Sequence, residues 1–321
     1  MNMNTPIRRI ARRAALALAV SAGAIGLAIG GGGATGTGYT ADGPISQFGS
    51  IFVNGIEFFT DDAAISVNGV PNLTQRDLRL GMVLTVDGSR DAGGTTGQAS
   101  TVVYNADAIG AVDRALDSSG SISVLGQNVS ANARTVFAGV DSLAALRAGD
   151  NVEVSGYLSP AGILAARVEK IGAAPFVQVQ GTVGVISGTM FALGNLAVDL
   201  SSATLENVPL TGLVTGMQVI VKGPPPSGGV LAATQVAVVQ KSYSGSSNGS
   251  TTGVIASLLP TTGFFPSLLP SAFTISGQPY LVTPTTQYVN GNASSLARGR
   301  LVKVDFAVVA TTLIATRVEF E

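Results

Sequence analysis

One nine-residue pattern, Leu-x-x-Gly-x-x-(Val/Leu)-x-Val, occurs four times in this chain, and that recurrence limits the fold more than any other feature. Its copies are Leu78/Gly81/Leu84/Val86, Leu146/Gly149/Val152/Val154, Leu213/Gly216/Val219/Val221 and Leu296/Gly299/Val302/Val304. The glycines are 68, 67 and 83 residues apart. A period of that size means several small units of one design, stacked or linked, rather than one large sheet. A second signature, Ala-(Ala/Ser/Thr)-x-Val, follows each copy, ending at Val102, Val168, Val236 and Val318, 19 to 21 residues after the repeat glycine. A further glycine stands two residues after the first three copies, at Gly88, Gly156 and Gly223, where the fourth has Phe306.

Each copy is preceded by an apolar-alternating run ending in glycine: Phe52–Gly55, Ile122–Gly126, Phe191–Gly194 and Phe273–Gly277. A short β-prone segment lies between run and repeat, at 65–67, 135–137, 204–206 and 286–288. Opening segments at 110–112, 181–183 and 253–255 complete about five short strands per module. Period-2 alternation with glycine at the turns predicts half-buried antiparallel strands. The repeat glycine falls where the chain turns into a long strand, which calls for a positive φ or a close backbone approach. The expected fold class is therefore all-β, a tandem array of about four small five-stranded barrels of oligonucleotide/oligosaccharide-binding (OB) type, or five-stranded sandwiches, after an N-terminal signal segment. The expected modules are residues 45–107, 108–172, 177–241 and 249–321, with a Ser/Gly/Asn linker at 242–252.

Residues 1–34 read as an export segment. Arg8, Arg9, Arg12 and Arg13 precede a short apolar run from Ala14 through Ile29, followed by Gly30–Gly33. A basic end before a short apolar stretch is the pattern of a secretory leader, and the run is too short and glycine-rich for a comfortable membrane span. The chain is therefore expected to be periplasmic or secreted in a bacterium, held to a membrane only if the leader is not cut. Without the four leader arginines, 14 basic residues face 19 acidic ones, so the body is mildly acidic. Nucleic acid is accordingly not expected as a partner.

Catalysis is constrained by what is missing. The chain has no His, Cys or Trp. Ser-His-Asp and Cys-His arrangements, thiolate nucleophiles, disulfides and Cys/His zinc sites are impossible. Glu57, Asp61 and Asp62 group as calcium-type oxygen ligands would, but the spaced Asp/Asn/Gly loop is absent, so a solvated turn is the better reading. Asp87 and Asp91 read as parts of a Gly-rich loop running to Gly97, without the burial that raises a catalytic carboxyl's pKa. Arg167/Glu169 and Arg317/Glu319 read as structural ion pairs on strand faces. No cofactor, metal or catalytic residue is expected. The segment 257–270, with its doubled Ser-Leu-Leu-Pro, accounts for the longer last repeat. Its apolar residues Leu258, Leu259, Phe264, Phe265, Leu268 and Leu269 are the candidate partner contact, either exposed or folded over their own barrel.

Ile45-Ser-Gln-Phe-Gly-Ser-Ile-Phe-Val-Asn-Gly55-Ile-Glu-Phe58, Asp77–Val83, Gly149–Gly156 and Ala165–Glu169 together resemble the bacterial domain-of-unknown-function family 5666, over roughly residues 42–321 and best in the first two modules. The resemblance implies tandem small β modules in exported proteins and supplies no catalytic residue. The lipid-bearing Cys of the lipoprotein-like members is absent; Gly30 stands where it would fall. The expectation is an exported, non-catalytic binding module of the bacterial envelope or exterior, its ligand a glycan, polymer or protein. The alternative is a structural spacer or assembly subunit whose β edges pair with other chains.

Overall fold

The computed structural model describes residues 37–239, 241, 243, 245–259 and 272–321. The leader reading at 1–34, and Phe264, Phe265, Leu268 and Leu269 of the candidate partner contact, lie outside the described residues. Residues 34–321 form one compact unit.

The fold is all-β with four repeated modules. The first has β1 (Thr37–Phe48), β2 (Ile51–Val53), β3 (Ile56–Phe59), β4 (Ala64–Val67), β5 (Val70–Leu73), β6 (Val83–Arg90) and β7 (Thr96–Tyr104). The second has β8 (Ala108–Arg114), β9 (Ser121–Val124), β10 (Gln127–Ala138), β11 (Asn151–Ser159) and β12 (Gly162–Lys170). The third has β13 (Val177–Ser187), β14 (Met190–Leu193), β15 (Leu196–Asp199), β16 (Thr204–Glu206), β17 (Gln218–Gly223), β18 (Val230–Ala232) and β19 (Gln235–Val238). The fourth has β20 (Asn248–Leu259), β21 (Ala272–Ile275), β22 (Gln278–Leu281), β23 (Gln287–Val289), β24 (Leu301–Val309) and β25 (Thr312–Phe320).

In every module five strand positions close in the order 1-2-3-5-4-1. In the second, β8 pairs antiparallel with β9, β9 with β10, β10 parallel with β12, β12 antiparallel with β11, and β11 antiparallel with β8. The first and fourth modules repeat this, their third position split into β3/β4 and β22/β23. In the third module the third position is β15/β16 and the fifth β18/β19. This is a closed OB-like barrel, so of the two expected forms the barrel holds. The hairpin partners β3, β15 and β22, and the start of β10, are strands that the repeat signatures did not mark.

Pairing explains the signatures. The valines of the two patterns face each other across strands four and five: Val86 and Val102, Val154 and Val168, Val221 and Val236, Val304 and Val318. All eight are fully buried. The four repeat glycines have φ between +81° and +94°, conformations that cost a Cβ-bearing residue strain. Each donates its N–H to strand one, at Ile45, Val112, Val183 and Ile255, over 2.8–2.9 Å. A Cβ at Gly88 or Gly156 would fall 1.9 or 2.3 Å from the carbonyl oxygen of the facing strand, next to Ala99 or Ala165. In the fourth module Phe306 occupies that position opposite Ala315 and turns into an aromatic cluster with Tyr243 and Tyr280.

The barrels are joined through strands. β1 pairs in parallel with β20, so the first and last modules share a 13-stranded sheet. β8 pairs with β13, giving the middle modules a 12-stranded sheet and a continuous core. A small apolar cluster of Val83, Tyr157, Leu164, Ala166, Val254 and Leu301 joins modules one, two and four. The first strand reaches back to Thr37 because it pairs along Thr37–Pro44 with β6. The linker is shorter than the pattern implied, because Asn248–Thr252 are already in β20.

Candidate functional site

The four modules meet around a cavity of about 560 Å³. Every module contributes to its lining. β1 supplies Asp42; the 105–107 connection supplies Asn105 and Asp107; β11 supplies Tyr157. The third module supplies Gln180, Gln218 and Ile220, and the fourth Thr252, Ser276 and Gln278. Lys241, from the connection between modules three and four, completes the charged residues of the lining. The backbone geometry behind this is the repeat itself: Gly216 and Gly156, glycines of the two repeat positions, bring main chain close to the cavity from two sides.

Asp107 is the joint of the first three modules. Its N–H donates to the Val154 carbonyl at 2.8 Å and its own carbonyl accepts from Gln180 N–H at 2.7 Å. Its carboxyl Oδ2 accepts from Gly156 N–H at 2.7 Å. Burial, only partly offset by that hydrogen bond and by Lys241, holds the carboxyl up at about 7. Asn68 extends the joint: its Oδ1 accepts from Ala106 N–H at 2.8 Å, and its carbonyl accepts from Lys222 Nζ at 2.8 Å. Tyr104 Oη donates to Glu153 at 2.8 Å across modules one and two, and burial pushes both groups' pKa values up.

Asp42 is 4% exposed. Its Oδ1 accepts from Thr85 Oγ1 at 2.5 Å. Its Oδ2 lies 3.1 Å from Lys241 Nζ, close enough for charge pairing but without a hydrogen bond from any described residue. Gln218 Nε2 donates to Thr182 Oγ1, whereas its buried Oε1 likewise takes no hydrogen bond among the described residues. Buried acceptors of this kind are costly and uncommon in native proteins.

The sequence-predicted candidates fall elsewhere. Asp61 and Asp62 are exposed in the turn after β3, and Glu57 accepts from Ser50 Oγ at 2.5 Å. No group of three or more acidic side chains placed for a metal occurs among the described residues. Asp87 requires a correction. It lies within β6, not in a loop, because β6 continues beside the early part of β1. Burial raises its carboxyl above the ordinary range although it accepts from Thr40 Oγ1 at 2.7 Å. Arg167 pairs with Glu169 at 2.7 Å, and its Nη1 reaches the Leu80 carbonyl of module one. Arg317 pairs with Glu319 and Asp305. Leu258 and Leu259 are partly exposed at the end of β20, with Leu259 in the cross-strand row Leu259–Ala272–Leu281. None of these groups lines the central cavity. The polar cavity residues were missed because they carry no shared repeat position, although Leu84, Gly156 and Gly216 of the repeat patterns also line the cavity. Gln180, Gln218 and Gln278 come from non-equivalent strands, and Asp107 is a lone acid between modules.

Among the described residues no helix is long and apolar enough to cross a membrane. A family model described as "Domain of unknown function (DUF5666)" matches four stretches, residues 42–102, 109–169, 180–237 and 252–319. No curated protein is recognisably similar to the chain. Among solved structures, one titled "drosophila Unr CSD456" is 12% identical, covering 67% of this chain and 97% of its own, with a TM-score of 0.16. A likeness that weak carries no argument.

Proposed function

The chain belongs to the DUF5666 family, and from that premise we propose that it is an exported, non-catalytic binding protein of the bacterial envelope or exterior, with the four-module cavity as its ligand site. The observation that carries this reading is the cavity's composition. It takes side chains from all four repeats, falls within the roughly 300–1,000 Å³ range of small-molecule sites, and mixes apolar walls with a few converging polar groups. Export is supported by the basic-then-apolar leader pattern at residues 8–29. A non-catalytic role is supported by the absence of His and Cys from the whole chain. Spacer behaviour through open β edges fits less well, because barrel closure pairs most strand edges internally.

The test is thermal unfolding of the purified protein with and without the low-molecular-weight fraction of the host envelope. A ligand at about 100 times its Kd stabilises by roughly 2.7 kcal/mol, a shift of several degrees in a small domain and smaller in a large one. The reading expects such a shift, lost when Met217→Trp fills part of the cavity. A shift that survives the filling, or none from any extract, removes the cavity as the site of function.

A further inference from the structure

We infer that the cavity accepts a neutral, polyhydroxylated compound of saccharide type; this rests on the binding-protein reading above and names what is bound. Charge comes first. Asp42, Asp107 and Lys241 are the charged side chains of the lining. Asp42 and Lys241 face each other at 3.1 Å, so each already has its counter-charge. Asp107 gives one carboxyl oxygen to Gly156 N–H, and near neutral pH its carboxyl is only partly ionised. A phosphate or carboxylate ligand would find one cation, already paired, beside two acids. A cationic ligand would have to displace Lys241 from Asp42.

The remaining polar lining is of a different kind. Asn105, Gln180 and Gln278 are among the lining residues, and each carries a carboxamide, a donor and an acceptor side by side. A hydroxyl is likewise donor and acceptor at one atom, so neighbouring hydroxyls on a ring match carboxamides without any net charge. Val83, Tyr157 and Ile220 give the apolar wall against which the C–H face of a sugar ring loses water. The groups come from four modules, so the ligand would bridge them and the assembled body, rather than one barrel, would be the binding unit.

The experiment is titration calorimetry on the purified protein with glucose, maltose, cellobiose and trehalose. Glucuronate, glucosamine and inorganic phosphate serve as charged counterparts. Gln180→Ala and Gln278→Ala, both at half-buried positions, are run beside the parent with their melting temperatures as folding controls. The expected result is binding of at least one neutral saccharide, weakened roughly tenfold by each substitution. Binding of charged probes alone, sensitive to the substitutions, overturns the ligand class and leaves the binding-protein reading standing. Saccharide binding indifferent to both substitutions overturns the site. Silence from every probe overturns the saccharide inference and leaves the binding-protein reading to the envelope-extract melting test.

Discussion

Replacing Asp107 by Asn should reverse a pH-dependent weakness at the centre of the molecule. The carboxyl is buried where modules one, two and three meet, and its pKa is held at about 7 against an ordinary 3.8. A raised carboxyl binds a proton more tightly in the folded chain than in the unfolded one. Stability from this group is therefore full below about pH 4, declines as pH rises toward 7, and stays low above it. Three pH units at about 1.36 kcal/mol each make the loss on the order of 4 kcal/mol at alkaline pH. Asn keeps an acceptor for Gly156 N–H and never ionises. Whatever its added N–H groups cost does not vary with pH. Asp87 and Glu153 are raised in the same sense, so the difference between parent and variant, not the parent curve alone, isolates Asp107. Urea unfolding of both proteins at about pH 4 and about pH 8.5 reads it through the midpoints, with m-values checked for constancy. Asp107→Asn should gain up to about 4 kcal/mol on the parent between the two conditions. A difference that stays flat, or grows in the parent's favour with pH, would refute the burial argument.

The other predictions concern the repeat design. Gly149→Ala should cost roughly 1–2 kcal/mol, because φ is +91° but the space is open, while Gly81→Ala should cost more, its Cβ falling 2.8 Å from the Ala166 carbonyl of the next module; urea midpoints of the two variants rank them. Phe306→Ala should lose roughly 3–5 kcal/mol by emptying the ring cluster with Tyr243 and Tyr280, with near-ultraviolet circular dichroism reporting the loosened tyrosines. Arg134→Ala removes a pair with Glu321 in which the arginine is 62% exposed, and should change stability by less than about 1 kcal/mol by the same unfolding assay.

The barrels were legible because their information is local and repeated. Alternation marked strands one, two, four and five, and the positive-φ glycines marked the entry to strand four. Strand three was only half seen. Ile56–Phe59 and Gln278–Leu281 follow their hairpin turns too closely to stand out as separate runs. The assembly was not legible. Thr40, Asp42, Ser250 and Thr251 look like solvent-facing positions of β1 and β20, yet all four are buried where those strands pair in parallel. Polar residues buried between modules follow no single periodicity, so their partners emerge only with the tertiary arrangement. Asp87 misled for the same reason: the strand that shields it, at Thr37–Thr40, lies ahead of the first recognisable motif.

Four barrels fused into one body around a shared cavity should unfold together, and calorimetric unfolding of the purified protein reports whether they do. If the modules spanning residues 37–321 unfold as a unit, one transition should appear, its van't Hoff enthalpy equal to the calorimetric value of about 200 kcal/mol near 60 °C. Separate transitions, or a van't Hoff enthalpy near the roughly 45–50 kcal/mol of a single 65-residue barrel, would contradict it.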